Sequence, residues 1–299
     1  MSYKKQDFVK FWCDKQLAGK ILRVKEIRKN KVNRVFLIET TLNKFLLKAC
    51  RYSHEDFKPE KEKMIYELVS KKISCPRVIL IDFSKEFFPN AVYLIVFIKG
   101  NHASDCINGK NRVKLIRELA TVLKKINGFT FKSYGWIGSN GVYNGKNNWA
   151  EFYNDSISKK IAKICKDKEC KNFGKKISTF FQSNKLPGDR PCLVHNDFRP
   201  ENVLINSQRI SGVLDFEWAF SGERLIDVVK AIRYFGFEGT DRLEFLNSYF
   251  KRKPKEFFDN EKVLNAFFDL EQLEFSVVYR AHRKIIRARL KNLLERMRD

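Results

Sequence analysis

Histidine is scarce in this chain, with 4 in 299 residues, and none of its 7 cysteines forms a Cys-x-x-Cys pair. Those shortages argue against a zinc site, and scattered thiols in odd number fit a reducing compartment better than a disulfide framework. Cys165 and Cys170 come nearest to a redox pair, but isolated core or surface thiols are the simpler reading. Long apolar runs are lacking too: no segment approaches the ~20 residues that cross a bilayer. The opening residues, MSYKKQDFVKFWCDKQ, lack the apolar stretch and small-residue cleavage site of a secretory leader. The expectation is a cytoplasmic protein without a membrane span.

Acidic residues are also short. There are 35 Asp and Glu against 59 Lys and Arg, a formal net charge of +24. The excess is spread along the whole chain, which favours a lysine-rich solvating surface with an anionic ligand such as a nucleotide added to it. A nucleic-acid or acidic-membrane partner is the minority reading. In the last thirty residues Arg280, Lys284, Arg287 and Lys291 make a basic stripe, with Val278, Ala281, Ile285 and Leu293 on the opposite face. That is the pattern of a helix half on a core, and no aromatics alternate with the cations as they do in single-strand binders.

What is present is core material. Hydrophobic residues make up 43% and phenylalanine alone supplies 27 positions, enough for one large or two moderate globular units. GKILRVKEI, NRVFLIET and KFLLKA read as strands. Helical spacing follows from Lys58 to Lys72, then strands RVILIDF and VYLIVFIKG. Beyond Gly100 the pattern turns helical, broken by a Gly/Asn-rich stretch at 128–148 read as a loop. The expected organisation is α+β: an amino-terminal lobe over 1–98, a small antiparallel sheet with one helix, and a larger, mainly helical lobe over 99–299.

The chemistry concentrates in LVHNDFRPENVLIN, residues 193–206. NVLI and ISGVLDF read as the arms of a hairpin around NSQR, which sets Asn202 beside Asp215. Asp197 precedes them in the same loop. Carboxylate and amide oxygens without sulfur or imidazole suit Mg²⁺, which shares substrate phosphates. An Asp five residues before an Asn, followed by a second Asp, is the arrangement of kinase-type phosphoryl transfer. Asp197 then takes the acceptor's hydroxyl proton, and Asn202 and Asp215 hold the metal. Such a site also needs a strand lysine held by a helix glutamate. Lys48, the one cation within FLLKAC, fits; Glu62 is its expected partner, with Glu60 second.

These segments resemble the aminoglycoside phosphotransferase family, with its choline-kinase-like and sugar-kinase-like relatives. The family's HGDxxxxN, DW or DF, and following D correspond here to His195, Asp197, Asn202, Asp215 and Asp227. The resemblance spans roughly residues 20–240 and implies a two-lobed, protein-kinase-like fold. It implies that Lys48 contacts ATP phosphates, Glu62 holds Lys48, and backbone groups from Val96 to Ile98 bind adenine. His195 supports the loop and Asp227 braces it. Two departures stand out. The phosphate-covering stretch IRKNKVNRVF has no glycine, so Arg28, Lys29 and Lys31 are left to supply charge and GTP stays open beside ATP. Asn127 stands where relatives often have His. The resemblance implies a hydroxyl-bearing small-molecule acceptor, foremost an aminoglycoside antibiotic, with Glu217, Glu223, Asp269, Glu271 and Glu274 to meet its amines. A sugar, choline-like or other amino-alcohol acceptor is the alternative. A non-catalytic module binding nucleotide or nucleic acid is the rival of another class. Oligomeric state is not encoded in any of these features.

Overall fold

The computed structural model describes residues 3–29, 33–50, 58–107, 109, 111–251 and 254–298, with backbone alone at 28, 29 and 33. Lys31 lies outside the described residues, as do the side chains of Arg28 and Lys29. The chain divides into two compact units. One comprises 1–106, 137–141 and 201–217; the other comprises 107–136, 142–200 and 218–299. The first crossing between these units falls at 106/107, and the sequence crosses between them more than once.

The first unit is built on a five-stranded antiparallel sheet in the order β1-β2-β3-β5-β4. Its strands are β1 (Ile21–Lys29), β2 (Asn33–Thr40), β3 (Lys44–Cys50), β4 (Val78–Asp82) and β5 (Val92–Val96). Alternation sorts the side chains. Leu47 and Ala49, with Leu94 and Val92 opposite them, face helix α1 (Lys5–Asp14), whose Phe8, Phe11 and Trp12 complete an aromatic-rich core with Phe36. Lys48, opposite Tyr93, points to the other face, which meets helix α2 (Lys58–Val69) through Glu62.

A three-stranded sheet completes this unit: β6 (Asn101–His102) pairs with β10 (Val203–Asn206), which pairs with β11 (Arg209–Val213). The hairpin expected from NVLI and ISGVLDF is thus present. Its turn residues Ser207 and Gln208 have φ of 49° and 63°, the left-handed pair that a two-residue hairpin requires. Gly212 lets the hairpin lie close to the segment after β5, since a Cβ there would fall 2.9 Å from Ile98.

The second unit is mainly helical: α4 (Arg112–Ile126), α5 (Trp149–Ile164), α6 (Gly174–Ser183), α7 (Leu225–Phe235), α8 (Gly239–Phe250), α9 (Lys255–Asp259), α10 (Glu261–Val278) and α11 (Arg283–Arg296), with the four-residue α3 (Ala103–Cys106) ending the first segment of the first unit. The stretch 128–148 is not the loop its composition suggested. It contains strands β7 (Tyr134–Gly138) and β8 (Gly141–Lys146), which join β12 (Phe220–Gly222) and β9 (Cys192–Val194) in a sheet ordered β8-β7-β12-β9. Gly141, at φ 107°, makes the reversal after Asn140 possible.

The carboxy-terminal amphipathic pattern also needs correcting. Val278 and Ile285 are exposed, and Ile286, Leu290 and Leu293 are buried. The helix is broken between α10 and α11, where Arg280 sits at φ 52°, so the periodicity restarts and a different stripe faces inward. All seven cysteines are free thiols. No helix among the described residues is long and apolar enough to cross a membrane.

Candidate active site

In the first unit, Lys48 is the hub of a buried ion cluster. Its Nζ donates to Glu62 Oε2 at 2.8 Å and lies 3.3 Å from Asp215 Oδ1. Glu62 is fully buried and meets four donors. Lys48 and the Tyr93 hydroxyl serve Oε2; the Tyr66 hydroxyl, at 3.2 Å, and the Phe216 amide, at 3.0 Å, serve Oε1. A charge taken out of water survives there because every lone-pair direction is occupied. Burial pushes the Lys48 pKa down, but Asp215 and Glu62 outweigh it and leave the ammonium above its ordinary range.

Asp215 occupies the left-handed region at φ 67°, tolerable for Asp but still strained. Its amide is fixed by donation to the Tyr66 hydroxyl at 3.0 Å. The same tyrosine therefore orients both carboxylate-bearing residues. Tyr66 lies one helical turn after Glu62, so its spacing was legible in sequence, whereas Tyr93 reaches Glu62 only through strand register. Asn202, 1% exposed, stands at the other end of the hairpin, where its carbonyl accepts from Leu214 N at 2.8 Å. Val96 ends β5, its amide bonded to Arg77 O at 3.0 Å, and Ile98 follows in the adjoining segment.

Glu217, two residues beyond Asp215, has Lys58 at 3.8 Å, and its carbonyl accepts from Lys61 Nζ at 2.7 Å. Burial, then the neighbouring Asp215 charge, pushes the Glu217 carboxyl up to about 7. Burial pushes the Lys61 ammonium down to about 8.

In the second unit, the loop carrying Asp197 is held by Asp227, which is fully buried. Its Oδ2 accepts from His195 N at 2.8 Å and its Oδ1 from Asn196 N at 2.8 Å. Asn127 braces the same carboxylate at 2.8 Å, donates to Leu193 O and accepts from the Tyr249 hydroxyl. His195 Nδ1 accepts from Asp197 N at 3.3 Å. Asn196, at φ 69°, fills the position where the motif has glycine. Lys230, buried and not anticipated from sequence, compensates: it donates to Asn196 O at 3.0 Å and to Asn196 Oδ1. Asp197 itself has Arg199 Nε at 3.4 Å.

The remaining carboxylates expected to meet an acceptor are all engaged. Glu223 accepts from the amides of Asp189 and Leu225, at 3.0 Å and 3.3 Å. Asp269 faces Arg233 at 2.9 Å and Arg296 at 3.6 Å. Glu271 is held by Lys230 at 2.5 Å and Lys160 at 3.0 Å. Glu274 is held by Lys160 at 3.0 Å and Lys163 at 2.7 Å. Burial pushes the Glu271 carboxyl up, yet Lys160 and Lys230 outweigh it and hold it below the ordinary range.

The donor chemistry fits a hard cation. Asn202 and Asp215 bring amide and carboxylate oxygens to the two ends of one hairpin, and Mg²⁺ needs few protein ligands when phosphates supply others. No cluster of three or more His, Cys, Asp or Glu side chains suited to a metal occurs among the described residues.

A profile described as the phosphotransferase enzyme family matches residues 23–259. No curated protein sequence matches the chain significantly. Among solved structures, a thermostable variant of aminoglycoside phosphotransferase APH(4)-Ia in a ternary complex with ADP and hygromycin B is similar at TM-score 0.73 and 16% identity, over 97% of either chain. The gentamicin complex of APH(2'')-IIa has TM-score 0.72 and 17% identity, over 98% of this chain and 97% of that one. A putative fructosamine-3-kinase from Haemophilus somnus 129PT has TM-score 0.70 and 15% identity, over 97% of both. The fold is that of these kinases.

Proposed function

The chain belongs to the phosphotransferase enzyme family, and we propose that it transfers the γ-phosphoryl group of ATP, with GTP as the alternative donor, to a hydroxyl of a small molecule. One observation carries the reading. Lys48, Glu62 and Asp215, separated by 14 and 167 positions, meet as a buried ion cluster whose lysine holds the charge that phosphates require.

In this reading the acceptor's oxygen forms a bond to the γ-phosphorus as the bond to the β–γ bridging oxygen breaks. ADP leaves with that electron pair, and Asp197 receives the hydroxyl proton. Lys48 binds the α- and β-phosphates, Glu62 fixes Lys48, and backbone groups from Val96 to Ile98 hold the base. Asn202 and Asp215 would hold Mg²⁺, which would neutralise phosphate charge when bound. Asp227, Asn127 and His195 position the Asp197 loop without touching the reacting atoms.

An aminoglycoside acceptor with a role in antibiotic resistance is one reading, after the hygromycin B and gentamicin complexes, and a sugar-derived acceptor is the other, after the fructosamine kinase neighbour. The proposed place of action is the cytoplasm. ADP release by the full chain with Mg²⁺, ATP and a panel of aminoglycosides, sugars and amino alcohols tests the reading. Asp197→Asn is expected to lower turnover about 10²–10⁴-fold. No turnover with any acceptor, together with salt-sensitive RNA binding, would instead identify a non-catalytic module.

A further inference from the structure

Among the described, partly buried arginines of the helical unit, one stands apart. Arg112, Arg117, Arg224, Arg233, Arg242, Arg287 and Arg296 each meet a carboxylate. Arg289, half-buried on α11, meets none among the described residues; its guanidinium donates to Gln272 O and to Ser276 Oγ on α10. Burial holds its pKa below the ordinary arginine range. A desolvated cation without a counter-charge is costly, and such groups concentrate at functional sites.

A short path of hydrogen bonds joins Arg289 to Tyr234 on α7, the helix whose Asp227 and Lys230 hold the catalytic loop. Arg289 holds the carbonyl of Gln272, whose Nε2 donates to the Tyr234 hydroxyl at 3.2 Å. The Tyr234 pKa is raised by burial and then by Asp197 and Glu271, with Arg199 opposing, so that hydroxyl lies in the field of the base loop. Across α5, α7, α10, α11 and the base loop, Asp197, Asp269, Glu271 and Glu274 pair with Lys160, Lys163, Arg199, Lys230, Arg233 and Arg296, and Arg289 adds a cation paired with none of them: four acids to seven bases. The seats that a polyamine's ammonium groups would need are already filled by the protein's own lysines and arginines.

We propose that the acceptor is a small hydroxylated anion, carrying a carboxylate or phosphate, and that Arg289 receives that anionic group while polycations are excluded. The proposal rests on the phosphotransferase reading, because it takes Asp197 as the base. A planar guanidinium with donors left over suits either oxyanion, and an incoming anion would restore the balance that the cluster lacks.

Calorimetric titration of the full-length protein at low salt tests this without requiring turnover. The probes are gluconate for the carboxylate, glucose 6-phosphate for the phosphate, glucose as the neutral control and gentamicin as the polycation. At least one anion is expected to bind about ten-fold or more tightly than glucose, as one charge-assisted hydrogen bond allows, with gentamicin weakest. Arg289→Gln is expected to abolish the anion's advantage and Arg289→Lys to keep part of it. Arg283→Gln, an equal charge change at an exposed position of the same helix, is expected to keep it. Gentamicin binding more tightly than both anions, neither anion exceeding glucose, or an advantage that survives Arg289→Gln would each overturn the proposal. Should Arg289→Gln fail to fold, the wild-type ranking and Arg289→Lys decide. Asp197-dependent ATP turnover without anion preference would sink the acceptor class alone. Anion preference without such turnover would sink the transferase reading alone.

Discussion

The two units manage buried charge in opposite ways. In the sheet unit, Glu62 and Asp215 share a single lysine, Lys48, and tyrosine hydroxyls and amides satisfy the rest of Glu62. In the helical unit, Asp269, Glu271 and Glu274 are served by five cations. The trio of Glu62, Asp215 and Lys48 is short of one positive charge, which a bound metal would supply in the proposed reading. The second cluster is saturated, and its surplus is what the proposed anionic acceptor would meet. The difference matters because a carboxylate's presence in a pocket says little about ligand charge until its partners are known.

The largest expected effect comes from removing the single cation of the first cluster. Lys48→Met should lower phosphotransfer about 10²–10³-fold and, by stranding Glu62, destabilise the protein by about 3–5 kcal/mol. Steady-state ADP release and urea unfolding would measure both. Unchanged stability would show that the tyrosines alone support the Glu62 charge, and the contrast between units would lose half its basis.

Next is Glu271→Gln, which leaves Lys160 and Lys230 facing a neutral amide. A loss of about 3 kcal/mol is expected, because breaking one side of a buried pair strands the other. Urea midpoints check it. A neutral result would mean that Glu274 and Asn196 satisfy those lysines without it.

The smallest effect is a pH slope. Burial holds the Lys61 ammonium down to about 8, whereas burial of Lys160 is outweighed by Glu271 and Glu274, and its pKa is raised. Between pH 8 and about 10.4, the ordinary lysine value, the unfolded chain keeps a proton on Lys61 that the folded chain has lost. Stability from this group therefore rises with pH in that window. The stability difference between wild type and Lys61→Met should grow from pH 8 to pH 10, and the difference for Lys160→Met should not. A flat Lys61 difference would show that Glu217 compensates the buried ammonium.

Much of the architecture is legible in sequence because it follows short-range rules. Strands β1 to β5, helix α2 and the β10–β11 hairpin come from alternation, helical spacing and a turn. Helix α1 carried the same kind of signal, with Phe8, Phe11 and Trp12 one turn apart. The β7–β8 hairpin was hidden by composition: its Asn140-Gly141 step is a turn signal, but the surrounding glycines and asparagines resemble a loop. The stripe on α11 was misplaced because one left-handed residue, Arg280, shifts the phase of everything after it.

At the site, the sequence by itself determined the chemical types and the local spacing: Asp197 five residues before Asn202, Asp215 across a hairpin, Lys48 alone in an apolar strand. Only the tertiary structure decided who neutralises whom. Tyr93 meets Glu62 through strand register, Lys230 meets Asn196 from a helix 34 positions away, and Lys160 meets Glu274 across 114. Covalent spacing governs contacts within a turn or a hairpin, whereas pairing of buried charges depends on which elements pack together, and local sequence does not contain that information.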